Sequence, residues 1–159
     1  VTTIEGAQSA AGFRFALVVS KYHDFVTDRL EAGALAALAA AGVRPDDITI
    51  VRVPGAFELP IAARLAAAES HQAVVCLGCL IRGATPHFDF IASAVAHGLT
   101  DVAAATGVPV LFGVLTTNSV EEALARAGEG ASNKGWEAAT AAVEMAVLVA
   151  KLTGQPARS

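Results

Sequence analysis

The sequence predicts a single α/β domain built on a mostly parallel sheet with helices on both faces. Apolar, β-rich runs alternate strictly with helix-periodic segments along the whole chain. The strand runs are mostly apolar, the pattern of strands covered on both sides. The length of 159 residues suits one domain, with no internal repeat and no low-complexity linker to divide it. The expected layout is one domain over 1–159, with an N-terminal arm at 1–12 and a frayed tail at 154–159.

The elements follow in order. Residues 13–20 (FRFALVVS) are the first strand, closed by the turn-like Lys21-Tyr22-His23-Asp24. Leu30, Ala34, Ala37, Leu38 and Ala41 then recur at helical spacing, and Gly42 supplies a stop. Residues 48–53 form the second strand, ended by Pro54-Gly55. The helix over 58–68 tolerates Pro60 only in its first turn. Residues 73–81 are the third strand, and Gly83-Ala84-Thr85-Pro86 leads into a helix from His87 to about Ala105.

Residues 108–115 are the fourth strand. Asn118 or Ser119 caps a short helix there, since Ser119 with Glu122 matches a capping box, and Gly128 to Gly130 breaks it. The last helix runs from about Asn133 to Leu152, with Trp136, Thr140, Val143, Val147 and Ala150 expected on its buried stripe.

Composition narrows the function. The chain is 54% hydrophobic, yet the richest run, 32–43, is Ala and Gly, which argues against a membrane span. Val1-Thr2-Thr3-Ile4-Glu5 lacks the basic and apolar regions of a signal peptide, so a cytoplasmic location is expected. A net charge of −4 without a basic block argues against nucleic acid as a partner. Charged residues make up 16% of the chain. An average domain has about 25%, a deficit of about a dozen surface charges. A homo-oligomer that covers part of the surface explains that deficit most simply; an Ala-rich monomer is the alternative.

Cys76 and Cys79 form a C-x-x-C pair inside the third strand. Residues three apart on a strand point to opposite faces, so they read as two ordinary buried cysteines rather than a redox or zinc pair. Dinucleotide, Walker A, nucleophile-elbow and metalloprotease motifs are missing. No metal and no cofactor is expected.

In open parallel sheets ligands bind beyond the carboxyl ends of the strands, which directs attention to residues 21–25, 54–58, 80–87 and 116–118. Arg82-Gly83-Ala84-Thr85-Pro86-His87-Phe88-Asp89 lies where a strand ends and a helix begins. Open N–H groups and the helix dipole suit a phosphate there, with Gly83 allowing a tight turn and Thr85 offering a hydroxyl. The dipole contributes only about 0.3–1 kcal/mol, up to ~2 when partly buried, so tight binding also requires a cation. The plain alternative is a Thr N-cap before Pro86. His87, in the first turn, is placed to move protons beside such an anion, or is simply bonded to local backbone.

Val53-Pro54-Gly55-Ala56-Phe57-Glu58-Leu59-Pro60 makes a rigid loop able to recognise a polar ligand, though Glu58 also suits a plain helix start. Tyr22 can stack on a planar ring or be a surface aromatic. Arg126 and Lys134, with Gly128, Gly130 and Gly135 around them, suit an anionic substrate; solvated surface cations are the alternative.

Taken together these motifs carry more than any one alone. The residues 53–60, Ile81-Arg82-Gly83-Ala84-Thr85-Pro86-His87-Phe88-Asp89-Phe90, Phe112-Gly113-Val114-Leu115-Thr116-Thr117-Asn118, Arg126-Ala127-Gly128 and Asn133-Lys134-Gly135, in this order, resemble the lumazine synthase family over about residues 13–152. The resemblance implies a flavodoxin-like, three-layer αβα fold with a four-stranded parallel sheet. It implies a transferase of riboflavin biosynthesis that needs no cofactor. The reaction condenses 5-amino-6-(D-ribitylamino)uracil with 3,4-dihydroxy-2-butanone 4-phosphate to 6,7-dimethyl-8-ribityllumazine, releasing phosphate and water.

The same resemblance implies roles for individual residues. Tyr22 stacks on the pyrimidine, where the family more often has Phe or Trp. Ala56, Phe57 and Glu58 hold the ribityl chain and ring edge, and Cys79, Leu80 and Ile81 meet the pyrimidine mainly through backbone. Ala84, Thr85 and Arg126 bind phosphate, His87 transfers protons, and Phe112, Arg126 and Lys134 come from an adjacent subunit. His23 stands where the family often has Asn, and Cys79 where Thr or Val is usual.

The implied partners are the two small-molecule substrates, further copies of the chain in a homopentamer, and riboflavin synthase. The short 126–134 segment resembles that of members forming icosahedral shells of sixty subunits. Two other readings are a non-catalytic lumazine- or riboflavin-binding shell protein of this fold and an unrelated flavodoxin-like phosphate binder.

Overall fold

The computed structural model describes residues 1–155 of the chain. Its regular elements are β1 (Phe15–Ser20), α1 (Asp24–Ala40), β2 (Ile48–Val53), α2 (Leu59–Ala68), β3 (Ala73–Ile81), α3 (His87–Thr106), β4 (Val110–Thr117), α4 (Val120–Ala125) and α5 (Lys134–Thr153). Short 3₁₀ turns at Pro45–Asp47 and Ala56–Glu58 precede β2 and α2. The four strands form one sheet in the order β2-β1-β3-β4, with every neighbouring pair parallel. This is the flavodoxin-like, three-layer arrangement expected from the sequence.

The sheet sorts its side chains by parity. Phe15, Leu17, Val19, Val75, Leu77 and Cys79 face one layer with α1 and α5. Ala16, Val18, Val74 and Cys76 face the other with α2 and α3. The two cysteines therefore sit on opposite faces, both free and buried. Burial pushes the Cys76 thiol up to about 12 and that of Cys79 up to about 11, so neither is a thiolate near neutral pH.

β1 is buried along its whole length because it has a strand on each side and a helix layer on each face. β2 is an edge strand, and Thr49, Ile50 and Arg52 remain exposed on it. Leu30 of α1 is completely buried, which stabilises the fold by roughly 1.5–3 kcal/mol.

The buried stripe of α5 differs from the expected one. Val143 and Val147 are buried as expected, but Ala139, Ala142 and Ala146 complete the stripe, while Trp136, Thr140 and Ala150 are half-buried. Small residues allow α5 to lie close to α1, which presents Ala34 and Ala37. A Cβ on Gly135 would collide with the Leu30 carbonyl, so this glycine serves the close approach of the two helices.

Residues 1–12 form an arm without regular structure that lies along α5: Lys151 Nζ donates to the Glu5 carbonyl at 2.8 Å. Gly154, in the left-handed region, and Gln155 close α5, each donating its N–H to the Ala150 carbonyl. The remainder of the expected frayed tail, residues 156–159, lies outside the described residues. Among the described residues, no helix is long and apolar enough to cross a membrane.

Candidate active site

The strand order reverses between β1 and β3, and the carboxyl ends of β1, β2 and β3 open onto one cavity of about 960 Å³. The β1 end contributes Tyr22 and His23, and the β2 end contributes Gly55, Ala56, Phe57 and Glu58. The β3 end contributes Cys79, Leu80, Ile81, Gly83, Thr85 and His87. Nine of the thirteen residues proposed from the sequence line this one cavity: Tyr22, Ala56, Phe57, Glu58, Cys79, Leu80, Ile81, Thr85 and His87. Ala84 is exposed in the loop between Gly83 and Thr85 but does not line the wall.

The first loop is held to the second by backbone. Lys21 N donates to the Val53 carbonyl at 2.8 Å and Tyr22 N to that of Pro54 at 3.1 Å. Tyr22 is 67% exposed, a large aromatic left without cover at the cavity rim. His23 begins α1 in the left-handed region (φ 61°), a conformation few non-glycine residues adopt. Its ring packs edge-on to Tyr22 at 4.4 Å and to Phe25 at 5.7 Å between centroids. Partial burial lowers the pKa of the His23 imidazole below its usual value.

The loop before α3 differs from the sequence readings in two ways. Pro86 is the residue that precedes the helix, and no side chain caps it, so the alternative of a plain Thr85 cap is not realised. Asp89 N donates to the Pro86 carbonyl at 3.0 Å, while the N–H groups of His87 and Phe88 receive no side-chain cap. Gly83 does not have a positive φ, and a Cβ there would meet open space. The turn does not require glycine; what an added methyl would fill is the cavity itself.

Arg82, not foreseen as a site residue, braces this loop. Its N–H meets the Thr117 carbonyl at 2.8 Å, and its side chain donates to Asn118 Oδ1 at 3.1 Å and to Asp89 at 3.3 Å. The guanidinium lies 4.5 Å over the Phe88 ring.

The sequence reading also missed Phe88, Phe90, Ile91 and Ala94 of α3 and Val120, all of which line the cavity. The signal was available for Phe90, Ile91 and Ala94: they lie at i+3, i+4 and i+7 from His87, on one helix face. Phe90 is 73% exposed.

Phe112, Arg126 and Lys134 are elsewhere. They line a second cavity of about 370 Å³ on β4, α5 and the loop between α4 and α5, together with Glu137. Phe112 is 47% exposed. Arg126 donates to the Glu122 carbonyl at 3.0 Å, and Lys134 Nζ pairs with Glu137 at 2.7 Å. α4 opens with the expected Ser119 cap, accepting from Glu122 N at 3.2 Å, but the Glu122 carboxylate reaches back to Asn118 N at 2.8 Å rather than to Ser119. The large cavity has no Lys or Arg in its wall, and the small one holds two. Among the described residues no cluster of His, Cys, Asp and Glu is arranged to hold a metal ion.

Comparison with known proteins identifies the family. A family model for 6,7-dimethyl-8-ribityllumazine synthase matches residues 12–150. The chain is 48% identical over 152 residues to the 6,7-dimethyl-8-ribityllumazine synthase of Syntrophus aciditrophicus, covering 95% of this chain and 99% of the relative. It is 52% identical over 147 residues to that of Desulfotalea psychrophila, covering 92% of this chain and 95% of the relative. With nearly full-length identity on both sides and the motif-bearing loops gathered at the strand ends, the chain belongs to the 6,7-dimethyl-8-ribityllumazine synthase family.

Proposed function

We infer that this chain is a transferase of riboflavin biosynthesis, forming 6,7-dimethyl-8-ribityllumazine. It condenses 5-amino-6-(D-ribitylamino)uracil with 3,4-dihydroxy-2-butanone 4-phosphate. The reading draws on the family membership and on one structural observation, the cavity at the switch point with an uncapped helix start on one wall and exposed aromatics on another.

The roles follow from chemistry. Tyr22 stacks on the pyrimidine, and Ala56, Phe57 and Glu58 hold its edge and the ribityl chain. Cys79, Leu80 and Ile81 meet the ring through backbone, which explains why a cysteine is acceptable there. The open N–H groups of residues 84–85 and the Thr85 hydroxyl take the phosphate, at the end of the α3 dipole. The arylamine attacks the butanone carbonyl to give an imine and one water; phosphate leaves, the enol rearranges, and the ring closes with loss of a second water. Holding two substrates together supplies most of the acceleration, and His87 relays protons.

The cation that the phosphate requires comes from a second copy of the chain. Arg126, Lys134 and Phe112 line a different cavity from His87 in one chain, so a neighbour in a ring completes the site. Exposed apolar groups support such a covered surface: Phe57, Ile61 and Leu65 are each about two-thirds exposed. The assembly is a homopentamer, further built into a sixty-subunit shell in the cytoplasm, where riboflavin synthase is a natural companion as consumer of the product.

The test is direct. Purified protein and both substrates are mixed and the fluorescence of the lumazine product is followed against a protein-free control. Acceleration well above the spontaneous reaction is expected; a folded oligomer giving none would refute the catalytic reading in favour of a binding or shell protein.

A further inference from the structure

Asn133 is 2% exposed, and both ends of its amide are fully engaged. Its Oδ1 accepts from Gly135 N at 2.7 Å and from Trp136 N at 3.1 Å, which caps α5. Its Nδ2 donates to the Arg29 carbonyl of α1 at 3.1 Å and to the Gly128 carbonyl at 2.7 Å. A cap needs only an acceptor, which Asp or Ser supplies as well. The two donated bonds go beyond capping. They tie the loop between α4 and α5 to the body of the molecule.

Apart from this side chain, the loop is held by the buried Ala127 and by short-range backbone bonds, such as that from Asn133 N to the Gly130 carbonyl at 3.1 Å. It contains Gly128 and Gly130, the latter at φ 81°. Arg126 and Lys134 flank it, and the Lys134 N–H donates to the Arg126 carbonyl at 2.9 Å. A Cβ on Gly33 would fall on the Asn133 amide, so α1 leaves a gap shaped for this side chain.

We propose that Asn133 is a positioning residue: its amide N–H groups fix the loop that sets Arg126 and Lys134 together against the phosphorylated substrate. The inference rests on the reading of Arg126 as the phosphate cation. Losing the tether releases the loop while the helix cap survives, and the anion affinity falls because two cations no longer converge.

The test uses the assembled protein and two variants that keep a capping oxygen, Asn133→Asp and Asn133→Ser. Inorganic phosphate binding and the KM of each substrate are measured for wild type, both variants, Arg126→Ala and the double variant R126A/N133S. The expected result is a roughly ten- to hundred-fold loss of phosphate affinity, with a matching rise in KM for the butanone phosphate. The pyrimidine KM is expected to stay within about two-fold, and R126A/N133S to bind phosphate no worse than R126A.

Equal effects on both substrates, unchanged phosphate affinity in folded variants, or additive losses in the double variant would overturn the proposal. So would failure of both variants to fold, since Asn133 would then be purely structural. If R126A itself leaves phosphate binding unchanged, the phosphate reading fails and this proposal falls with it; if R126A weakens binding and N133S does not, only the proposal falls.

Discussion

Two cavities of this chain are built in opposite ways. The large one, between β1, β3 and α3, is walled by aromatic and aliphatic groups and an uncapped helix start, with no Lys or Arg in its lining. The small one, on β4 and α5, carries Arg126 and Lys134 beside Phe112. On the proposed function the first takes the flat ring and the anion, and the second supplies the cations. Each lacks what the other has. On the proposed function the two cavities are halves of one site joined by a second copy of the chain, which gives the proposed oligomer a chemical reason beyond covering apolar surface.

That comparison can be broken by experiment. The largest effect is expected from His87→Ala, which slows turnover by about 10²–10⁴ without abolishing it, the usual range for general acid–base help. A single-turnover measurement showing a loss beyond 10⁴ would assign His87 more than proton transfer. Arg126→Ala should cost about 10²–10³ in kcat/KM, concentrated in the KM of the phosphorylated substrate.

The sharpest test mixes the two. When His87→Ala and Arg126→Ala chains are co-expressed in equal amounts, about a quarter of the sites in a ring receive both native halves, and activity returns to roughly that fraction. Activity no higher than the mean of the two variants would mean that both halves act within one chain.

Tyr22→Ala should weaken pyrimidine binding by about five- to hundred-fold, the range for one lost stacking contact, and leave the phosphorylated substrate unaffected. Titration of each KM separates the two. The smallest effect concerns His23. Its folded-state pKa lies below the unfolded value of 6.5, so the unfolded chain binds the extra proton more readily. Stability from this group is present above pH 6.5 and declines as pH falls through the lowered folded value. Thermal unfolding of His23→Asn should show a shallower loss between neutral and mildly acidic pH; an identical slope would remove His23 as the cause.

Much of this was legible in the sequence because the signals were local. The bounds of β2 and β3 agree with the apolar runs at 48–53 and 73–81, each stopped by Pro or Gly chemistry. β4 begins and ends two residues later than expected, at Val110–Thr117, because pairing with β3 rather than apolarity sets its extent. The buried stripe of α5 could not be read correctly, since large residues attract attention and the tight α1 contact selects alanines.

The loops tell the same story. Glycine at 83 suggested a tight turn, and a plain Thr85 cap was the alternative to an anion site, yet neither role is realised in the backbone. Both residues face a cavity, and only a folded structure distinguishes a glycine needed by the chain from one that leaves room for something else. Arg82 and Phe90 were overlooked because their importance depends on Asn118 and on the helix face shared with His87, partners supplied by topology.

The sequence by itself determined the alternation of strands and helices, the strand-end loops that carry the chemistry, and the family, because apolar periodicity and ordered motifs are written along the chain. Only the tertiary structure decided which of those loops meet. The β2-β1-β3-β4 order gathers Tyr22, Phe57, Thr85 and His87 at the switch point and leaves Arg126 and Lys134 beyond β4. Strand order is a property of non-local pairing, and no local pattern encodes which side of the sheet a distant loop will reach.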